Sequence, residues 1–152
     1  MKHEPIFCWK EDVGLASCVF TDGQHYYCGV AQCHPDDMDM ASEKTGCEIA
    51  FKRAKIRALR EYRDTLKIKL QALNQLYYSI NQSKSFNEKS YENKMLQRQI
   101  RMIKFDLDTT KEIIATEEQS LREYLSEKEK FYEKIRSNRK HRAEMLKKAD
   151  LN

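Results

Sequence analysis

Residues 28–54, CGVAQCHPDDMDMASEKTGCEIAFKRA, carry the chain from one kind of structure into another. Before Pro35 the residues are β-branched, aromatic or small. After Ser42 the apolar residues recur every three or four positions. Pro35 ends a strand, Asp36 and Asp37 initiate a turn, and the acids suit the positive end of a following helix. Ser42 or Thr45 is placed to cap that helix, with Glu43 in its first turn. All four glycines and both prolines precede Cys47. From there to Asn152 neither punctuator occurs, and Lys, Glu, Leu, Arg and Ala dominate, so the remainder reads as helix nearly throughout.

On the N-terminal side, GLASCVFTDGQHYYCGVAQC (14–33) holds two strand-like runs around Asp22-Gly23. That pair predicts a two-residue type I′ turn. Such a turn sets Thr21 against Gln24, Val19 against Tyr26, Cys18 against Tyr27 and Ser17 against Cys28. PIFCWK (5–10) predicts a third strand. Three strands need a surface to lie on, and the start of the long helix is the one at hand.

On the C-terminal side, one helix face runs Cys47, Phe51, Ala54, Ala58, Tyr62, Leu66, Lys69, Leu73, Leu76, Ile80, with only Lys69 polar. The opposite face carries Arg53, Arg57, Arg60 and Lys67, with Ile49 and Ile56 among them. NQSKSFN (81–87) is a polar break of the length that joins antiparallel helices. A second helix follows in heptads: Leu96, Ile103, Thr110, Glu117, Tyr124, Phe131 at one position, and Ile100, Leu107, Ile114, Leu121, Lys128, Ile135 at the other. A sustained 3.5-residue period predicts coiled-coil packing. The helices differ in length, about 55–60 Å against about 90 Å if unbroken. The excess needs a partner. A second copy of the chain is the simplest, which makes Leu96, Ile100, Ile103, Leu107, Ile114 and Leu121 the expected self-association residues of a homodimer. A fold-back onto the head is the runner-up. The expected fold is α+β: a small antiparallel sheet packed on a long helix, then a helical-hairpin or coiled-coil extension. The head spans 1–60 and the extension 61–152, ending in a basic tail.

Charge divides the same way. Residues 1–41 hold two basic and seven acidic side chains, and the other 111 hold 26 and 17. No segment is long and apolar enough to span a membrane and no signal-peptide pattern opens the chain, so a cytoplasmic location with no membrane partner is expected. Five cysteines, an odd number, then default to reduced thiols. Zinc wants paired ligands two to four residues apart, whereas Cys28 and Cys33 are five apart and lie on opposite faces of a strand. Cys18 and Cys28 also fall on opposite faces, which disfavours a disulfide. Cys33 and His34 are neighbours that point apart, not a nucleophile with its base. Neither a catalytic residue, a metal nor a cofactor is expected. Residues 52–69 contain eight basic and two acidic side chains. Residues 134–148 contain seven basic ones, Arg139, Lys140 and Arg142 among them, and one acid. With Arg53, Arg57, Arg60 and Lys67, these are the candidates for binding a partner or nucleic acid.

Gly29-Val30-Ala31, Cys33, Pro35, Asp37, Gly46, Ile49-Ala50 and Arg53-Ala54 form the pattern GxAxCxPxD followed by GxxIAxxRA. Over residues 13–60 the chain resembles uncharacterised small proteins of phages and prophages of Gram-positive bacteria. The resemblance implies architectural roles: Gly46 lets the helix approach the sheet, and Arg53 reaches the acidic turn at Asp36 and Asp37. It also implies a context, in which accessory proteins of this size bind a host protein or ribonucleoprotein. The expected function is therefore non-catalytic: binding and inhibiting or redirecting a host target, including host defence machinery in the manner of an anti-CRISPR. The alternative is a nucleic-acid-binding regulator that uses the basic helix face and tail.

Overall fold

A computed structural model describes residues 4–82 and 90–149. Strands β1 (Ile6–Lys10), β2 (Leu15–Thr21) and β3 (Tyr26–Gln32) precede helices α1 (Glu43–Asn81) and α2 (Tyr91–Ala149), with 3-10 turns at Glu11–Val13 and Pro35–Met40. The strands form one antiparallel sheet in the order β1-β2-β3. This is the expected α+β architecture, a three-stranded sheet packed on a long helix and followed by a second long helix. The polar break expected at 81–87 lies, from Ser83 on, outside the described residues. Ser42 is the cap of α1, its Oγ accepting the Thr45 N–H at 3.4 Å. Ser90 does the same for α2, accepting the Asn93 N–H at 3.2 Å.

The sheet meets α1 through small residues. Ala16, Cys18, Ala31 and Ala50 form a buried cluster flanked by Trp9, Cys47, Ile49 and Phe51. A Cβ at Gly29 would lie 1.9 Å from the Ala50 carbonyl oxygen and 2.6 Å from the Ala54 nitrogen. The backbones of β3 and α1 are therefore in direct contact, which only glycine permits. A Cβ at Gly46 would come within 2.8 Å of the Ala16 Cβ, so the helix start is held close as well. Phe7 and Phe20 set their rings edge-on to Phe51 at 6.2 and 6.0 Å, closing one side of the cluster.

The β2–β3 register differs from the expected one. Thr21 pairs with Tyr26, Val19 with Cys28 and Cys18 with Gly29, so the loop has four residues, not two. Asp22 is the cause. Its Oδ1 accepts the N–H groups of both Gln24 and His25 at 2.8 Å, and its own N–H donates to the His25 carbonyl. That wider turn replaces the type I′ geometry, and of its four loop residues only Gly23 has a positive φ, 98°. Partners move by two residues, so every side chain keeps its face. Cys18 remains buried and Cys28 exposed, and all five cysteines are free.

The chain divides into two compact units: residues up to Ala54 together with those from Glu118 on, and Lys55–Glu117. Where the sequence reading placed a boundary, at residue 60, α1 is continuous.

Within Lys55–Glu117, α1 and α2 form an antiparallel hairpin. Lys55 Nζ reaches Glu117 Oε1 at 3.3 Å and Gln97 Nε2 donates to Tyr77 Oη at 3.1 Å. The seam of α2 follows the expected heptads: Leu96, Ile100, Leu107, Thr110 and Ile114 are buried. They are buried inside one chain, against α1. The antiparallel hairpin expected from the polar break covers them, so this seam does not need the second copy expected for it. On α1 the expected stripe is the buried one only in part: Cys47, Phe51, Ala54, Ala58, Leu66, Leu73 and Ile80 are buried or half-buried. Tyr62, Lys69 and Leu76 are exposed, while Ile56, Leu59, Arg63, Leu66, Leu70, Leu73, Tyr77 and Ile80 are buried or half-buried. The helix serves two surfaces. Cys47, Ala50, Phe51 and Ala54 meet the sheet, and from Ile56 on a second face, 3-4 spaced, meets α2. A single 3.6-residue stripe drawn through both surfaces drifts off the second. In α2 the heptads shift after Lys128: Phe131, expected in the seam, is exposed and Tyr132 is half-buried.

Gly29→Ala is expected to cost about 3 kcal/mol or more, through overpacking against backbone that cannot yield. Cys28→Ser, on the outer face, is expected to stay within about 0.5 kcal/mol. Leu107→Ala is expected to cost about 2–5 kcal/mol through the cavity left in the hairpin seam. Urea unfolding followed by circular dichroism measures all three.

Candidate functional site

The stretch HPDD, at residues 34–37, positions a carboxylate. Cys33 N–H donates to the Gly14 carbonyl at 2.8 Å, closing β3 onto the turn before β2. His34 is extended, and its Nδ1 accepts the Asp36 N–H at 3.3 Å, which caps the 3-10 turn that Pro35 begins. The turn rotates Asp37 inward, to 4% exposure, and the Cys33 thiol donates to its carbonyl at 3.3 Å.

What meets Asp37 comes from far along the chain. Arg136 on α2 donates from Nε to Oδ1 and from Nη2 to Oδ2, both at 2.8 Å. This parallel, two-pronged geometry is the strongest that arginine and a carboxylate form. Arg136 also reaches Glu129 at 3.2 Å, and Arg139 pairs with Asp39. Nearby, the Tyr124 hydroxyl donates to Glu48 of α1. The hydrogen bonds from Arg136 hold the Asp37 carboxyl below the usual carboxylate range, and the same bonds raise the guanidinium further. Burial, then the bond to Glu48, pushes Tyr124 up to about 12. The acidic head and basic tail seen in the sequence thus complement each other within one chain.

Beside the latch that Asp37 and Asp39 form with Arg136 and Arg139 lies a cleft of about 230 Å³, bordered by Trp9, Cys33, His34, Asp37, Lys128 and Tyr132. Burial raises the thiols of Cys18, Cys33 and Cys47 away from the thiolate, Asp37 adding to the effect at Cys33. The His34 ring is engaged with backbone. The arrangement is suited to holding parts together, not to nucleophilic attack.

The candidate binding residues occupy three settings. Arg53 does not reach Asp36 or Asp37. Its Nη1 donates to the Val30 carbonyl at 2.6 Å, capping the outer edge of β3, and Arg136 has taken the role expected of it. Arg57, Arg60 and Lys67 are exposed on one side of the hairpin, with Arg57 near Glu61 at 3.5 Å and Lys67 near Asp64 at 3.4 Å. Arg139 belongs to the latch, while Lys140 and Arg142 are exposed on the last turns of α2. The other half of the hairpin's basic side was not foreseen. In an antiparallel pair the positions flanking one edge of the seam come together from both helices. Lys94, Arg101, Lys104 and Lys111 of α2 therefore join Arg57, Arg60 and Lys67, against only Asp64 and Asp108. All seven bases are exposed. The signal was present in the heptad positions of α2, but it becomes a flank only once the seam of α1 is known.

Removing Arg136 leaves a buried carboxylate without its partner, whereas Asp39 is half exposed. Arg136→Ala is therefore expected to lower the melting temperature more than Arg139→Ala. Because the folded pKa of Asp37 is depressed, the latch contributes fully above the ordinary carboxylate range and is lost as pH falls through the lowered value. Asp37→Asn should remove that part of the acid unfolding, measured by tyrosine and tryptophan fluorescence. Comparison with family models, curated proteins and solved structures found no match to this chain.

Proposed function

We propose that this is a non-catalytic phage or prophage accessory protein that binds a host macromolecule of acidic surface, a protein or ribonucleoprotein, and inhibits or redirects it. The observation that carries the reading is the basic flank of the hairpin: seven exposed lysines and arginines drawn from two helices on one side of one seam. Such a field steers an acidic partner and sets its orientation. The tail is less available, since Arg136 and Arg139 are engaged by the head. The phage context rests on the resemblance of residues 13–60 alone.

A second reading, nucleic-acid binding, is favoured by the same flank, because bases spread along two helices can track a phosphate backbone. Arg57→Glu with Arg60→Glu is expected to reduce affinity for the acidic target at least about tenfold, about 1.4 kcal/mol. Helicity should be unchanged, since both side chains are exposed. Capture of a host partner that survives nuclease treatment and is lost in the double variant supports the protein target. Electrophoretic shifts of duplex DNA or RNA that weaken steeply with salt, and hardly vary with sequence, support nucleic acid instead. A folded double variant with undiminished binding of either kind overturns both.

A further inference from the structure

The opposite flank of the hairpin is apolar. Along it α1 presents Tyr62 and Leu76, and α2 presents Met95, Met102 and Ile113, exposed by 36–57%. These sit where the second edge of each heptad seam falls, so in the antiparallel pair they share one side. Only two charges lie among them, Lys69 on α1 and Asp106 on α2, both exposed. We propose that this flank is the interface of a homodimer, in which the two hairpins stack face to face as a four-helix bundle.

Two contacts set the levels along the hairpin. Lys55 lies beside Glu117 and Tyr77 beside Gln97. Residues whose numbers sum to about 173 are therefore level, by counting along two α-helices of equal rise. Lys69 then stands within about two residues, roughly 3 Å, of the level of Asp106. A two-fold axis lying between the copies and parallel to the helices places α1 of each over α2 of the other. It seats each Lys69 on the partner copy's Asp106, twice over. The same operation sets Tyr62 over Ile113, Leu76 over Met95 and Ala72 over Met102. An axis across the helices would instead put Lys69 on Lys69 and Asp106 on Asp106, so charge selects one arrangement. The flank runs roughly 21–27 Å along the helices and about 20 Å across two of them. That is roughly 500 Å² per copy, or about 1,000 Å² in all, the lower bound for a specific interface.

The occupied a and d positions are not the dimer contacts; they close the hairpin itself. The new interface lies on the side away from the basic flank, so target binding and dimerisation can be lost independently. Light scattering and sedimentation equilibrium of the full chain test it. The unmodified protein should be a dimer at micromolar concentration. Lys69→Asp and Asp106→Lys should each weaken dimerisation at least tenfold with helicity unchanged, because like charges then face each other. Mixing the two variants should restore the dimer, since each supplies the charge the other lacks. An ion pair within one chain cannot give that rescue. Met102→Glu should also dissociate the dimer. A monomeric unmodified protein at tens of micromolar overturns the proposal, and so does a dimer indifferent to Met102→Glu or a mixture that fails to reassociate.

Discussion

The contact between the backbones of β3 and α1 at Gly29 is the constraint on which the rest depends. A side chain there would overlap the Ala50 carbonyl, so the helix lies on the sheet at a separation only glycine and alanine permit. That closeness decides which side chains can fill the interface, and the buried cluster of Ala16, Cys18, Ala31 and Ala50 is correspondingly small. It also brings Arg53 to the β3 edge, where it occupies the Val30 carbonyl and blunts a strand edge that would otherwise invite pairing.

With so little apolar volume in the head, polar contacts carry more of the assembly. Asp37 is turned inward by a 3-10 turn whose cap is His34 and whose first residue is Pro35. Its two oxygens are met by two nitrogens of Arg136, 99 residues along the chain. Such a pair is a register device more than a source of net stability, because the cost of drying a carboxylate offsets much of the attraction. It specifies where the end of α2 lies, and Arg139 with Asp39 and Tyr124 with Glu48 specify it again.

The hairpin of Lys55–Glu117 is organised by a different economy. Its seam uses the a and d positions of both helices, and the two edges of that seam diverge in character. One edge gathers seven bases and the other gathers Tyr62, Leu76, Met95, Met102 and Ile113. The hairpin therefore carries two chemically distinct flanks, one charged and one apolar, on opposite sides of one seam.

The sequence by itself determined the class of fold. The absence of glycine and proline after Gly46 dictates long helices, alternation dictates strands, and the heptads of α2 place Leu96, Ile100, Leu107 and Ile114 in a packed seam without saying what packs on it, because periodicity and backbone propensity are local properties. It also located the turn at HPDD and narrowed the cap to Ser42 or Thr45. Tertiary structure decided the pairings. Asp22 accepts two backbone N–H groups and widens the hairpin loop. The sheet claims one face of α1 and α2 another, so no single stripe describes that helix. Arg136 outcompetes Arg53 for Asp37, since only the folded path of α2 brings it there. Which charges neutralise each other and which remain for a partner depends on distances between segments far apart in the chain, and those exist only once the helices have packed.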